Sequence, residues 1–312
     1  MIDIEKIFQL TDTVLKDVLY DELIANGYDK SKMHSKAKFL YAEGNAPYML
    51  VAHLDTVHQK LPSIICKSKN GYMMSPQGIG GDDRCGVYII LSLLNRLSFK
   101  PYVLFTMDEE IGGHGASAFN AYIKDNKPSL KYIVEYDRKG SNDCVFYNCD
   151  NKEFIAHVEK FGFKTAYGTF TDISIIAPYL GVAAVNISCG YYNPHMTHEY
   201  VSVRDMLNII GMSTKMLTSE CGEFKYVKKE YKPVARNTYK HRGSVKVSFL
   251  PANTIYSYGR VMNHGKEIAV DADGNLYRYN SYYGDLYVMP YADLKDAYLY
   301  YDEANSEVIP VF

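Results

Sequence analysis

Up to about residue 225, apolar residues recur in two rhythms. Ile4, Ile7, Phe8, Leu10, Val14, Leu15, Val18 and Leu19 share one side of a helical projection. That spacing predicts one amphipathic helix over 3–24. Residues 47–52 form an unbroken apolar run of strand length that ends on His53. Residues 86–97 are apolar nearly all round, which predicts a deeply packed helix. The runs at 101–107, 131–137 and 182–188 predict further strands. Helices are expected over about 116–125, 151–161 and 202–218. Asp172 follows Thr171 and precedes an apolar segment, so it reads as an N-cap. Strands alternating with helices imply an α/β fold, with a mixed, largely parallel sheet sandwiched by helices.

Beyond 225 the pattern changes. Lys225, Lys228, Lys229 and Lys232 mark a charged link that ends on Pro233. After it, Val245-Lys246-Val247-Ser248-Phe249 and Tyr277-Arg278-Tyr279, with Asp-Gly and Gly-Asp turns, argue for a small β-rich C-terminal module. Asp271-Ala272-Asp273-Gly274-Asn275 resembles the opening of a calcium loop. The closing Glu and flanking helices are missing, so it reads as a turn. Tyrosine is abundant (30 residues) and densest in this part, while tryptophan is absent. This compositional shift places a domain boundary between 222 and 223, giving a catalytic domain over 1–222 and a module over 223–312.

Charge and cysteine content narrow the function classes. The 312 residues carry a formal net charge of −2 and no basic run, which argues against a nucleic-acid partner. Cys66, Cys85, Cys144, Cys149, Cys189 and Cys221 form no Cys-x-x-Cys pair, so free thiols in a reducing compartment are expected. Acidic residues interrupt Met1-Ile2-Asp3-Ile4-Glu5-Lys6, unlike a secretory signal. No apolar stretch approaches the roughly 20 residues of a membrane helix, so no membrane partner and a cytoplasmic location are expected.

Five short stretches concentrate the acidic and imidazole groups. They are His53-Leu54-Asp55, Gly80-Gly81-Asp82-Asp83-Arg84, Asp108-Glu109-Glu110, Glu135-Tyr136-Asp137 and His195-Met196-Thr197-His198-Glu199. Most follow an expected strand or open a helix, and α/β folds gather ligands beyond the carboxyl ends of their strands. Each stretch alone has a plainer reading. His53 and Asp55 share a face and would serve as an ion pair, Asp82 and Asp83 as helix caps, and Glu109-Glu110 as a solvated turn. All five together suit two hard cations, which need carboxylate and imidazole in one place. Only one of Asp82 and Asp83 can bridge two cations, leaving the other a structural part. Glu135 and Asp137 lie on one face of their strand, and either could ligate. His195 and His198 compete in the same way.

Ala52-His53-Leu54-Asp55-Thr56, Asp82-Asp83-Arg84-Cys85-Gly86-Val87, Asp108-Glu109-Glu110-Ile111-Gly112, Asp172-Ile173-Ser174 and His195 through Glu199 resemble, in order and wording, the co-catalytic di-zinc exopeptidases (clan MH). Peptidase T, bacterial leucyl aminopeptidases, glutamate carboxypeptidase and the tetrahedral TET aminopeptidases belong to this superfamily. The resemblance spans about 45–218. It implies the zinc-exopeptidase (phosphorylase/hydrolase-like) fold and two Zn2+ ions, with Co2+ and Mn2+ also suited to such shells. It implies His53 and Asp137 on the first metal, Asp82 bridging, and Glu110 and His195 on the second. Asp55 would orient His53, and Glu109 would be the general base. Asp137 is preferred because Asp137-Arg138-Lys139-Gly140 resembles the family's Asp-x-x-Gly, and His195 by its spacing to Glu199.

The implied activity is a metallopeptidase, an aminopeptidase on short peptides, working through a two-metal-bound hydroxide. A carboxypeptidase or an N-acyl amino acid deacylase would use the same core, with Arg84 or Arg138 as the candidate for a substrate carboxylate; both are expected to pair with nearby Asp residues instead. A silent binding protein is the rival from another class. Gly190-Tyr191-Tyr192-Asn193 is expected to line the pocket, and His58 and His114 its rim. The chain departs from its resemblance in lacking the lid insertion of peptidase T after Asp137 and the TET insertion between His53 and Asp82.

Overall fold

The longest apolar runs become strands buried on both faces, the pattern required of a parallel sheet covered by helices. The structure is a computed structural model. It describes residues 2–230 and, further along, the strand segments 245–246, 255–257, 268–270, 276–280, 285–288, 298–302 and 307–311. Two compact units result, Met1–Glu230 and Tyr231–Phe312.

In the first unit the strands are β1 (Met33–Ser35), β2 (Phe39–Ala42), β3 (Ala46–His53), β4 (Cys66–Lys67), β5 (Tyr72–Met74), β6 (Pro101–Thr106), β7 (Tyr132–Arg138), β8 (Asp143–Val145), β9 (Lys164–Thr165), β10 (Ala184–Ser188), β11 (Tyr191–Tyr192) and β12 (Tyr200–Ser202). The helices are α1 (Ile4–Gln9), α2 (Asp12–Ala25), α3 (Gly81–Leu94), α4 (His114–Tyr122), α5 (Lys152–Glu159), α6 (Ile173–Leu180) and α7 (Val203–Thr218). One sheet of eight strands runs β1-β2-β6-β3-β7-β10-β8-β9. Its centre, β6-β3-β7-β10, is parallel. The flanking pairs β1-β2, β2-β6 and β10-β8 are antiparallel. The sheet is therefore mixed with a parallel heart, as the alternation of elements predicts. A small second sheet, β11-β12-β5-β4, stands apart.

Side chains along β3 alternate between two cores. Leu50 and Ala52 join Phe8, Leu19, Ile90 and Ile210, contributed by α1, α2, α3 and α7. Met49 and Val51 face Phe119 and Ile176 of α4 and α6. The sheet is thus the middle of three layers. No helix among the described residues is long and apolar enough to cross a membrane.

One helix expected over 3–24 is two. Leu10 is extended, and Thr11 caps α2 by accepting from the Val14 N–H at 3.4 Å. The break has a tertiary cause. Arg84, almost fully buried, donates from Nη1 to the carbonyls of Ile7 at 2.6 Å and Leu10 at 2.7 Å. These carbonyls end α1 on a guanidinium instead of feeding another turn. Its Nε donates to the Leu54 carbonyl at 2.8 Å. Arg84 therefore bonds main-chain carbonyls, not the nearby Asp expected of it.

Short elements were not anticipated: the β1-β2 hairpin and the small sheet are built from strands of two to four residues. In the second unit, five strand segments form an antiparallel sheet ordered 245–246, 285–288, 276–280, 268–270, 255–257, and 298–302 pairs with 307–311. The Asp271–Asn275 turn, Lys232-Pro233 and Val247-Ser248-Phe249 lie outside the described residues.

Candidate metal centre

The strand register sets the depth of each acid. Val51 of β3 pairs with Glu135 of β7, so two residues on, Asp137 is level with His53. Glu135 lies deeper, fully buried, and its Oε2 accepts from the Ile173 N–H at 3.5 Å. Asp137 Oδ1 lies 3.4 Å from His53 Nε2. Its Oδ2 accepts from the Thr171 hydroxyl at 2.7 Å.

His53 is 1% exposed, at the last position of the central strand. Its Nδ1 faces only acceptors, the Asp55 carbonyl at 3.1 Å and Asp55 Oδ1 at 3.4 Å. A proton on Nδ1 leaves the lone pair of the neutral ring on Nε2, pointing at the acids. Asp55 does more than orient this ring. Its Oδ1 accepts from the Glu109 N–H and its Oδ2 from the Glu110 N–H, each at 3.2 Å. One carboxylate thus ties the β3 end to the loop after β6.

Asp82 stands between the two imidazoles. Its Oδ1 is 3.3 Å from His53 Nε2, and its Oδ2 is 3.1 Å from His195 Nε2. His195 Nε2 is also 3.1 Å from Glu110 Oε1. Asp83 turns away: its carboxylate accepts from the His53 N–H at 3.2 Å and the Gly86 N–H at 3.1 Å. Helix α3 can approach β7 here because Gly86 has no Cβ; one would lie 2.0 Å from the Tyr136 carbonyl oxygen. His198 is exposed. Ligand atoms of Asp82, Glu110 and His195 lie within 4.8 Å of one another, as do those of His53, Glu109 and Glu110, and those of His53, Asp83 and Asp137. The structure therefore gathers His53, Asp55, Asp82, Glu109, Glu110, Asp137 and His195 at the carboxyl ends of the parallel strands. It leaves Glu135 below them and His198 outside.

Sequence reasoning missed three supports. In the motif Glu199 serves only as a spacing mark, yet it is fully buried and its carboxylate accepts from the Gly80 and Asp82 N–H groups. His58, expected on the rim, has Nε2 2.9 Å from Glu199 Oε2. Asp172 occupies the position before α6 without capping it; its Oδ2 accepts from the Thr106 hydroxyl. A buried site draws that carboxylate inward in place of the helix N–H groups. Tyr191 reaches Asp137 Oδ1 at 3.4 Å, while Tyr192 bonds Asp205 at 2.7 Å. His114 stays on the rim, 3.8 Å from Asp108.

The electrostatics show an excess of acid. Burial pushes Glu109 up to about 9, Asp172 to about 7 and Asp137 to about 6, with neighbouring carboxylates adding repulsion. Burial also raises Glu135 and Asp83 well above the ordinary range. Hydrogen bonds to Asp82 and Glu110 push His195 up to about 10. For His53, burial opposes the charge, but Asp137, Asp55 and Asp82 outweigh it. Buried carboxylates in such number are stable only when protonated or when cations neutralise them. His53 Nε2 and Glu110 Oε1 are both buried and make no well-aligned hydrogen bond among the described residues. They face only other candidate ligands, Asp82 and Asp137 at 3.3 and 3.4 Å from the first and His195 at 3.1 Å from the second. Orphaned polar atoms on either side of a shared carboxylate fit a pair of cations.

No protein-family model matches this sequence, and no curated protein matches it. Solved structures do match. Aminopeptidase PepT from Bacillus cereus ATCC 10987 is 14% identical over 69% of this chain and 96% of that one, with a TM-score of 0.56. A tripeptidase from Staphylococcus aureus subsp. aureus Mu50 is 14% identical over 69% and 95%, with a TM-score of 0.56. Aminopeptidase APDkam598 from the archaeon Desulfurococcus kamchatkensis is 17% identical over 70% and 94%, with a TM-score of 0.55. The fold is shared with these two aminopeptidases and this tripeptidase, and at these identities the likeness is one of fold.

Proposed function

We propose that the chain is a two-metal exopeptidase that cleaves short peptides from the amino end. The observation that carries this is Asp82, which offers one oxygen to each imidazole at 3.3 and 3.1 Å. In this reading His53, Asp137 and Asp82 hold one cation, and His195, Glu110 and Asp82 the other. Zn2+ suits this donor set, as do Co2+ and Mn2+. Such a pair supplies Lewis acidity at the scissile carbonyl and water of lowered pKa. Glu109 takes a proton from the attacking water and returns it to the leaving amine. Asp55 holds the Glu109 and Glu110 main chain through their N–H groups and the His53 ring through Nδ1, so base and ligands move as one. In this reading residues 1–222 carry the chemistry and 223–312 begin an appended module, of which the stretch up to Glu230 packs within the first unit.

A carboxypeptidase or deacylase needs a cation for the substrate carboxylate. Arg84 is consumed by main-chain carbonyls, and Arg138 pairs with Asp143 at 3.2 Å. With both candidate arginines engaged, the aminopeptidase reading is the one these residues support. Glu109→Gln, assayed with aminoacyl chromogenic substrates and metal analysis, tests it. We expect kcat to fall about 10²–10⁴-fold with both cations retained. Undiminished turnover would remove Glu109 as the base, and metal-loaded wild-type protein without turnover would favour the silent binding protein.

A further inference from the structure

We infer that Glu199, held by His58, is a positioning residue that clamps the loop carrying Asp82 and so places the carboxylate shared by the two cations. The inference rests on the ligand set proposed above.

Its geometry is complete on the page. Glu199 is 0% exposed. Oε1 accepts from the Asp82 N–H at 3.0 Å, Oε2 accepts from the Gly80 N–H at 2.9 Å, and His58 Nε2 approaches Oε2 at 2.9 Å. Asp82 and Asp83 have non-helical backbone (φ −83°, ψ 108° and φ −111°, ψ 34°) although they open α3. Their segment thus has N–H groups ahead of the regular helix, which need acceptors from outside it. A buried carboxylate is the strongest acceptor available for two of them. Gly81 lets the carboxylate come close: a Cβ there would lie 3.2 Å from Glu199 Oε1 and 2.8 Å from Tyr191 Cβ.

The clamp also joins three parts of the chain that each bring a proposed ligand. His58 follows His53 out of β3. Gly80 and the Asp82 N–H belong to the segment of Asp82 itself. Glu199 closes the loop that brings His195. One carboxylate thus fixes the separation of the two imidazoles from the group between them. A simple structural role would stabilise the loop without any link to cation affinity, and this difference can be measured.

Glu199→Gln replaces one acceptor oxygen with a donor, and since each oxygen takes a main-chain N–H, that of Gly80 or Asp82 loses its acceptor. In the full chain, two readouts apply: amide hydrogen exchange of the 78–84 segment in chelator-treated protein, and Zn2+ affinity by competition with a chromophoric chelator. We expect faster exchange at Gly80 and Asp82, with 86–94 unchanged. We expect both Zn2+ equivalents to bind roughly 10–100-fold more weakly, the usual effect of losing a group that orients ligands. His58→Gln, which spares both N–H bonds, is expected to give a smaller loss in the same direction and serves if Glu199→Gln does not fold. Ser202→Ala removes the α7 cap, a hydrogen bond to the Asp205 N–H at 3.3 Å, and controls for stability alone. Unchanged Zn2+ affinity in Glu199→Gln or, where that variant does not fold, in His58→Gln overturns the clamp, as does an equal loss in Ser202→Ala. Wild-type protein that binds no Zn2+ overturns the ligand set itself, and the clamp with it; two Zn2+ in wild type with a null result in the variants overturns the clamp alone.

Discussion

The two imidazoles flank one carboxylate but are built on different kinds of backbone. His53 ends a central strand paired on both sides, is 1% exposed, and has its ring, its Nε2 and its main-chain N–H all engaged by acids. His195 sits on a loop, about half exposed, at φ 67°, a conformation that non-glycine residues seldom adopt. Its ring meets Asp82 and Glu110 only through Nε2. The difference teaches that a dinuclear centre can be asymmetric in its support even when its donors look balanced. The strand end is part of the core, whereas the loop is ordered by the site it completes.

The most forceful way to break this comparison is to delete each ring. His53→Ala leaves Asp82 and Asp137 buried without their counter-charge. We expect a loss of about 3–5 kcal/mol in metal-free urea unfolding, the range for breaking a buried ion pair. His195→Ala removes a half-exposed ring whose pairing with Asp82 and Glu110 is screened by solvent, so the expected loss is smaller, about 1 kcal/mol. Equal losses in the two variants would end the asymmetry.

Stepwise cation removal sharpens the same contrast. The His195-side cation should leave first, with an affinity roughly 10–100-fold weaker than the other, because its loop ligand is less well held. Calorimetric titration of chelator-treated protein with Zn2+ should resolve two steps, and His195→Ala should abolish only the weaker. One unresolved step that His195→Ala abolishes entirely would contradict this.

Thr171→Val gives the smallest expected effect. It removes the hydroxyl that donates to Asp137 Oδ2 at 2.7 Å. The tighter step should weaken by about 10-fold and the weaker step should stay put, since only the first proposed site uses Asp137. A shift in the weaker step alone would place Asp137 in the wrong site.

Much of this arrangement is legible in the chain. The runs at 47–52, 101–107, 131–137 and 182–188 read as strands because burial on both faces demands mostly apolar sequence, and His53, Glu109, Glu110 and Asp137 stand at or just past the ends of three of them. Short strands carry too few residues for a period to show, so β1, β2 and the small sheet were invisible. The break between α1 and α2 was hidden for another reason. The Ile4–Leu19 spacing is helical throughout, and only Arg84, far along the chain, takes the carbonyls that a continuous helix would have used. Asp172 shows the same override, since its neighbours announce a cap and Thr106 draws the side chain inward.

The chain by itself determined the layers, the order in which donors arrive and the type of donor at each arrival, because periodicity and composition are local properties. Tertiary structure alone decided that Asp82 and not Asp83 lies between the rings, that Asp137 is level with His53 while Glu135 lies beneath, and that Glu199 reaches back to Gly80 and Asp82. Those relations join residues tens of positions apart. They are set by strand register and by the packing of loops against buried carboxylates, which no local spacing encodes.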